Sequence, residues 1–175
     1  MRIVGDNIIL RTVEKADSDL LLKWENHPET HAYNTDKSKY SKEDIENFID
    51  GNHDIHVDKQ LRLMIIQESS MEAIGTLDLF EFDDKEHTLG IGILIFEDKN
   101  RRRGYASEAM DIGIRYSSKH LLIKKIFCNI DPSNEKSIKF FKSKGFRKEN
   151  RDNVLLHFDS KRLAKMDFYL LDLLD

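Results

Sequence analysis

The feature that most constrains the fold is a strand, a cationic turn and a helix start that follow one another along the chain. Residues 91–96 are largely apolar, and the run Arg101-Arg102-Arg103-Gly104-Tyr105-Ala106 opens a segment with helical periodicity. The first N–H groups of a helix lack intrahelical partners, and the helix dipole adds positive potential there. Gly104 has no Cβ, so a ligand can approach the backbone closely. The segment therefore predicts an anion site, suited to phosphate.

A second segment further downstream predicts a capped helix. Asn134 or Ser133 can accept hydrogen bonds from the first N–H groups of that helix. Gly145 suits the left-handed position just after the helix end, and Phe146 can then pack on Phe141.

Together the two segments resemble the coenzyme-binding elements of the GNAT superfamily of acyl-CoA-dependent N-acetyltransferases. The spacing Arg-x-x-Gly-x-Ala is similar to the family's pyrophosphate motif. The later run, with Asn, a Ser three residues on, an aromatic four after that and then Gly-Phe, is similar to its second element. The resemblance implies acetyl-CoA as cosubstrate, bound by the strand before the turn, the turn and the later helix: Ile93, Leu94, Ile95, Arg101, Arg102, Arg103, Gly104, Tyr105, Ala106, Asn134, Ser137 and Phe141.

The predicted elements follow the GNAT order over nearly the whole chain. Periodicity and turn residues predict four helices, at 17–26, from a Ser41 capping box to Gly51, at 107–117 and at 134–144. Strands are predicted at 7–13, 61–67, 74–82, 87–96, 124–130, 147–157 and 163–172.

These elements predict an α/β (α+β) fold in a single domain, residues 1–175, with a mixed, mostly antiparallel central sheet of about seven strands and about four helices. Gly90 and Gly92 lie on one face of the strand at 87–96, which indicates either a packing bulge or a close backbone approach. The resemblance implies that the middle strands splay there and that free backbone groups pair with the pantetheine arm.

Composition limits the class of protein. The chain has 175 residues, 39 % of them apolar and 34 % charged, which is typical of a hydrophilic globular domain. No run approaches the roughly 18 apolar residues of a membrane span, and residues 1–6 do not read as a signal peptide. The single cysteine, Cys128, lies in a predicted strand as a small buried residue and suits a reducing compartment. We expect a cytoplasmic protein without a membrane partner.

Charge is distributed unevenly along the chain. Residues 99–151 hold fifteen Lys and Arg against five Asp and Glu, whereas the rest holds thirteen against twenty-seven. The basic block coincides with both coenzyme segments and suits a polyanionic coenzyme, while the acidic remainder suits a cationic second substrate. An RNA-binding role for the basic block is the rival explanation, but the sequence pI of about 6.0 argues against nucleic acid as a partner.

Acetyl transfer to an amine needs a base, a polarised thioester carbonyl and a stabilised thiolate. Glu81 is the candidate base, because the predicted strand places it on one face with Leu77 and Leu79, where partial desolvation raises a carboxyl pKa. The alternative is a charged residue at a hairpin end. Backbone N–H groups near Ile93–Ile95 can polarise the carbonyl. Many relatives place a tyrosine where this chain has Phe141, which has no proton to donate, so Ser137 or water takes that role.

The acceptor is predicted from the acidic first half of the chain. Residues 14–58 hold twelve Asp and Glu against five Lys and Arg, and Glu43, Glu46 and Asp50 are spaced to line one helix face. This face is either an ordinary solvated surface or a site for a polycation. The resemblance to the branch with spermidine/spermine and ribosomal-protein N-terminal acetyltransferases favours a polyamine, with a peptide N-terminus as runner-up. A non-catalytic acyl-CoA-binding module is the alternative from another class.

Two further expectations concern metals and assembly. His27, His31, His53 and His56 are close in sequence, but surface histidines usually bind nothing, so we expect no metal. The resemblance allows a homo-oligomer, although no interface can be read from the sequence.

Overall fold

The eight strands are hydrogen-bonded in the order β1-β2-β3-β4-β5-β6-β8-β7 in a computed structural model that describes residues 1–28, 30, 39–51, 53–150 and 165–173. The strands are β1 Arg2–Val4, β2 Ile8–Thr12, β3 Leu61–Gln67, β4 Ala73–Asp83, β5 Thr88–Ile95, β6 Lys125–Ile130, β7 Arg147–Lys148 and β8 Asp167–Asp172. The α-helices are α1 Ser18–Glu25, α2 Lys42–Ile49, α3 Ile55–Asp58, α4 Tyr105–His120 and α5 Glu135–Ser143. Short 3-10 turns occupy Lys15–Asp17 and Asp98–Asn100.

The mixed, mostly antiparallel sheet confirms the predicted fold class. The pairs β1–β2, β2–β3, β6–β8 and β7–β8 are antiparallel, and β5–β6 is parallel. The ladder between β5 and β6 covers Thr88–Gly90 against Lys125–Phe127 and ends there, although β5 runs on to Ile95. Its end near Gly90 agrees with the predicted splay.

The described residues form eight strands and five α-helices, one more of each than the predictions of about seven and about four. The additions are β1, a three-residue strand that precedes the first predicted one, and α3, a single turn capped by Asp54. Both are too short for periodicity to detect. Of the strand predicted at 147–157, Arg147 and Lys148 are strand, and 151–157 lie outside the described residues, as do 163–164.

Backbone contacts divide the chain into two compact units, of which the first is Met1–Asp78 with Ile93–Gly113. Its apolar core packs α1 and α2 against β2 and β3. The core residues are Ile9, Val13, Leu21, Trp24, Ile45, Ile49, Met64 and Ile66, with Phe48 and Phe96 partly buried beside them. Trp24 stacks on Phe96 with ring centroids 5.1 Å apart. The core therefore anchors the end of β5, from which the cationic turn departs.

The second unit is Leu79–Gly92 with Ile114–Asp175. Its aromatic cluster consists of Phe127 on β6 and Phe168 on β8, with Phe80 and Leu170 beside them. Phe127 stacks on Phe168 at 5.6 Å and meets Phe80 edge-on at 5.7 Å. A Cβ on Gly90 would overlap the Phe80 ring, so this glycine makes room for the aromatic packing.

Capping side chains stabilise the starts of two helices as the sequence predicts. Ser41 and Asp44 form the predicted reciprocal capping box at the start of α2, with the Asp44 N–H donating to Ser41 Oγ at 3.1 Å. At the start of α5, Ser137 N–H donates to Asn134 Oδ1 at 3.1 Å. None of the helices in the described part of the chain is long and apolar enough to cross a membrane.

Candidate functional site

The cationic turn has a backbone geometry suited to an anion. Arg102 has φ 60° and Gly104 has φ 86°, while Arg103 between them is not among the described residues with positive φ. Turns with left-handed residues of this kind can direct successive N–H groups toward a common point and so bind an anion. The sixteen-residue helix α4 begins at Tyr105, directly after this turn, and adds its unpaired N–H groups and its dipole.

Gly104 is required by conformation rather than by crowding. A Cβ built on Gly104 would meet no other atom within 4 Å, but a φ of 86° strains any residue with a side chain. The added Cβ would stand in the open space in front of the helix start. Arg102 and Arg103 are exposed next to it, so two cations flank this space.

Arg101 has a different role from its two neighbours. Its Nε donates to the Ile95 carbonyl and its Nη2 to the Phe96 carbonyl, both at 3.0 Å. Its Nη1 donates to Asp98 Oδ1 at 2.7 Å. The guanidinium therefore ties the turn to the end of β5, a role that the sequence prediction of a coenzyme contact did not include.

The strand before the turn is held by a close approach of two backbones. A Cβ on Gly75 in β4 would overlap the carbonyl oxygen of Leu94 in β5. Phe96 N–H donates to the Ile74 carbonyl at 3.0 Å. Ile93 and Leu94 are half-buried and Ile95 is buried. Gly75, which the sequence analysis did not single out, thus sets the position of the candidate segment Ile93–Ile95.

The second coenzyme candidate is a helix that ends as predicted. Gly145 has φ 91°, and Phe146 N–H donates to the Phe141 carbonyl at 3.2 Å, which is the Schellman pattern. The Phe141 and Phe146 rings meet edge-on with centroids 5.1 Å apart. Phe141 is 4 % exposed and packs in the apolar interior of the second unit, whereas Asn134 and Ser137 are half-buried.

Glu81 occupies an unexpected environment. Leu77 and Leu79 are buried, but Glu81 is exposed, so the expected partial desolvation of its carboxyl group is wrong. The reason is the backbone: Glu81 has φ 51°, which breaks the alternation of β4. A non-glycine residue in this region is uncommon and costs about 1–2 kcal/mol. Such strain is frequent at functional sites.

The acidic face of α2 borders a surface pocket in the first unit. Glu46 and Asp50 line it together with Lys15, Ser18 and Ile49, and Glu43 is exposed on the same helix. Asp50 pairs with Lys15 at 3.0 Å, and Glu46 lies 4.0 Å from Lys42. Ion pairs this exposed contribute little stability and separate easily.

The sequence prediction missed an ionic cluster that contacts Phe48 of α2. Arg62 on β3 pairs with Glu25 at the end of α1 and with Asp78 on β4, and its guanidinium lies 5.4 Å from the centre of the Phe48 ring. Burial alone would lower the pKa of Arg62, but the two carboxylates raise it above its ordinary value. Partners from three elements cannot be matched from sequence spacing, so this cluster had no detectable signal.

Cys128 is buried, and burial raises the pKa of its thiol, as expected for a packing residue. His31 lies outside the described residues. Among the residues that are described, no three His, Cys, Asp or Glu side chains form a group that could hold a metal ion.

The candidate residues are divided between the two compact units. Ile93–Ile95 and Arg101–Ala106 are joined through Arg101 in the first unit, which also holds Glu43, Glu46 and Asp50. Glu81, Asn134, Ser137 and Phe141 belong to the second unit.

Comparison with known proteins agrees with this architecture. The acetyltransferase (GNAT) domain family matches residues 7–147. An N-acetyltransferase 9-like protein from Dictyostelium discoideum is 29 % identical over 180 residues, which cover 90 % of this chain and 84 % of that protein.

Two solved structures have a similar fold. Spermidine N-acetyltransferase from Vibrio cholerae, in complex with CoA and spermine, has a TM-score of 0.75 at 18 % identity, covering 95 % of this chain and 94 % of that one. A Vibrio cholerae protein assigned as a ribosomal-protein-serine acetyltransferase has a TM-score of 0.76 at 19 % identity, over 98 % and 97 % of the chains.

The fold and the family match define an acyl-CoA-dependent N-acetyltransferase. This chain belongs to the GNAT acetyltransferase domain family.

Proposed function

We propose that the protein transfers an acetyl group from acetyl-CoA to a primary amine, with a polyamine such as spermidine or spermine as the preferred acceptor. The observation that carries the proposal is the turn at Arg102–Gly104, where two left-handed residues lead into the N-terminus of α4. One catalytic domain spanning residues 1–175 is part of the proposal.

Acetyl-CoA fits the residues present. Its pyrophosphate needs N–H donors and positive charge, which the backbone at Arg102–Ala106 and the exposed side chains of Arg102 and Arg103 supply. Its pantetheine arm needs backbone partners, which we assign to Ile93–Ile95. Asn134, Ser137 and Phe141 are assigned to the same coenzyme. Arg101 supports this site by fixing the turn on the carbonyls of Ile95 and Phe96.

The chemistry assigned to this chain is direct transfer. The amine nitrogen attacks the thioester carbonyl carbon and forms a C–N bond. The C–S bond then breaks, so that the acetyl group stays on nitrogen as an amide and CoA departs as the thiolate. Glu81 accepts the proton that the amine loses, directly or through water. A backbone N–H within Ile93–Ile95 stabilises the developing charge on the carbonyl oxygen. Phe141 has no proton to donate, so the leaving thiolate takes its proton from Ser137 or from water.

Two observations support a polycationic acceptor. The pocket beside α2 is lined by Glu46 and Asp50, and Glu43 lies exposed on the same helix. In this structure Lys15 Nζ contacts Asp50 at 3.0 Å, so the pocket already accepts an ammonium group. A polyamine would replace this ammonium and bring several cations instead of one.

A peptide N-terminus is the second candidate acceptor. It carries a single ammonium group, for which the acidic face is sufficient even though Lys15 and Lys42 neutralise part of that face. The solved Vibrio cholerae protein assigned to ribosomal-protein-serine acetylation shares the fold. The rate of CoA release from acetyl-CoA, measured with a polyamine and with a peptide that has a free N-terminus, separates the two. Only the true class of acceptor should give rapid release.

Calorimetry of acetyl-CoA binding tests the coenzyme site. We predict that Gly104→Val weakens binding at least tenfold, or ~1.4 kcal/mol, because valine cannot hold φ 86° without strain and its side chain fills the approach to α4. Gly104→Asn is the matched control. Asparagine tolerates left-handed conformations, so it isolates the steric part of the effect and should lose less affinity. Unchanged affinity in a folded Gly104→Val variant contradicts the assignment of this turn.

A further inference from the structure

Glu108 links the first turn of α4 to the turn between β1 and β2. Its Oε1 accepts from the backbone N–H of Asp6 at 2.6 Å and of Asn7 at 2.9 Å. Its Oε2 accepts from Asn7 Nδ2 at 3.0 Å. The residues lie about a hundred positions apart in the chain, so one carboxylate joins two distant elements of the first unit.

The turn that receives Glu108 is shaped for it. Gly5 N–H donates to the Ile8 carbonyl at 2.8 Å and closes the turn. A Cβ on Gly5 would overlap Glu108 Oε1 and would lie 2.9 Å from Ile112 Cδ1. Since Gly5 does not have a positive φ, the requirement for glycine here is steric: it lets α4 come close.

The contact also compensates the negative charge of Glu108 close to the turn that we assign to pyrophosphate. Glu108 N–H donates to the Gly104 carbonyl at 2.9 Å, so this carboxylate belongs to the helix turn that we assign to pyrophosphate. An uncompensated negative charge there would repel a polyanion. Burial alone would raise the pKa of Glu108, but the N–H donors of Asn7 and Asp6 lower it below its ordinary value. The donors therefore hold the charge on the side of the β1–β2 turn.

We propose that Glu108 is a positioning residue for coenzyme binding: it fixes the N-terminus of α4 on the β1–β2 turn and so holds the N–H groups and Gly104 in the geometry that receives pyrophosphate. This inference rests on the proposed function, because it assumes that the coenzyme binds at the start of α4. Glu108 itself does not touch the coenzyme.

Acetyl-CoA affinity, measured by calorimetry on the full chain, tests the inference. We expect Glu108→Gln to weaken binding about tenfold, since the amide replaces one acceptor oxygen by a donor that faces N–H groups. Gly5→Ala should weaken it similarly from the opposite side of the contact, and the double variant should lose little more than either single one. Asn7→Ala removes only the Nδ2 bond and should have a smaller effect, which keeps the test valid if Glu108→Gln folds poorly.

Asp111→Asn is the matched control. Asp111 is an exposed carboxylate on the same helix, so the variant makes the same change of charge while leaving the hydrogen bonds of Glu108 with Asp6 and Asn7 in place. We expect it to bind acetyl-CoA as the wild type does. Equal effects of Asp111→Asn and Glu108→Gln would overturn the inference, because they would indicate long-range electrostatics.

The pH dependence gives a readout that loss of stability alone would not. The folded pKa of Glu108 is below its unfolded value, so the stabilisation by its ionised carboxylate is complete above the unfolded pKa and is lost as the pH falls through the folded pKa. Wild-type affinity relative to Glu108→Gln should therefore shrink in acid. Undiminished affinity of Glu108→Gln, with the wild type binding normally, overturns the inference alone. A wild type that does not bind acetyl-CoA overturns the proposed function itself.

Discussion

Three adjacent arginines in the cationic turn serve different physical purposes. Arg101 uses its guanidinium on the carbonyls of Ile95 and Phe96 and on Asp98. Arg102 holds a left-handed backbone at φ 60°, and it and Arg103 expose their side chains. A guanidinium whose N–H groups are bonded to the protein has fewer donors left for a ligand. The turn therefore combines one structural arginine with two that supply positive potential.

Two substitutions at Glu81 separate its proposed role in catalysis from the strain of its backbone. We predict that Glu81→Gln lowers turnover with little change in acetyl-CoA affinity, since the proposed base acts only in the step that involves the acceptor. Glu81→Gly should also lower turnover, but its stability should stay level or rise because glycine relieves the positive φ of 51°. Thermal unfolding and steady-state kinetics measure the two effects. Wild-type turnover of Glu81→Gln between about pH 6 and 9 contradicts its role as a base.

The helix α5 is the element in which local sequence decided most of the structure. Asn134 begins it, Gly145 ends it, and Phe146 closes the end by packing on Phe141. The ring of Phe141 is buried and meets the ring of Phe146 edge-on.

Phe141→Tyr tests whether a proton donor is missing. If the leaving thiolate has no efficient donor, the added hydroxyl should raise turnover or shift the alkaline limb of the pH profile. The substitution also places a polar group at a buried position, which costs about 1–3 kcal/mol if the hydroxyl lacks a partner. Kinetics and thermal unfolding should be measured together. Unchanged kinetics in a stable variant would mean that Ser137 or water already protonates the thiolate.

The elements predicted from sequence are those whose signals are local. Capping residues such as Ser41 and Asn134, and strand alternation as in Leu61–Gln67, act within a few residues of the structure they determine. The features that were missed are contacts between distant residues. Glu108 with the β1–β2 turn and Gly75 with Leu94 carry no pattern that one sequence reveals. The predicted desolvation of Glu81 was wrong for a related reason. The left-handed backbone of this one residue breaks the alternation of β4 and leaves its side chain exposed.

At the scale of the whole molecule, the uneven charge is the property that the proposed function assigns to its two substrates. The basic block at 99–151 includes the cationic turn and α5, and the acidic remainder includes α2. A negative surface raises the local concentration of a cationic acceptor, and salt screens that attraction over a Debye length of ~8–10 Å.

The triple variant Glu43→Gln, Glu46→Gln and Asp50→Gln tests the acceptor surface. We predict a several-fold higher KM for spermidine and spermine and an unchanged KM for acetyl-CoA, because the three side chains belong to α2 and its C-cap. In the wild type, the KM for polyamines should rise with salt. The matched control is Lys15→Met, which removes the ammonium that pairs with Asp50 and should lower the KM for polyamines. A KM for polyamines that none of these changes alters contradicts this surface as the acceptor site.

The most direct test of the account is CoA release from acetyl-CoA by the full chain with a panel of polyamines, aminoglycosides and peptides with free N-termini. The account predicts amine-dependent release that is fastest with spermidine or spermine and yields the N-acetylated amine in equal amount. Release with peptides alone would contradict the polyamine acceptor and leave the N-acetyltransferase activity in place. Acetyl-CoA binding without release for any amine would contradict the proposed catalysis.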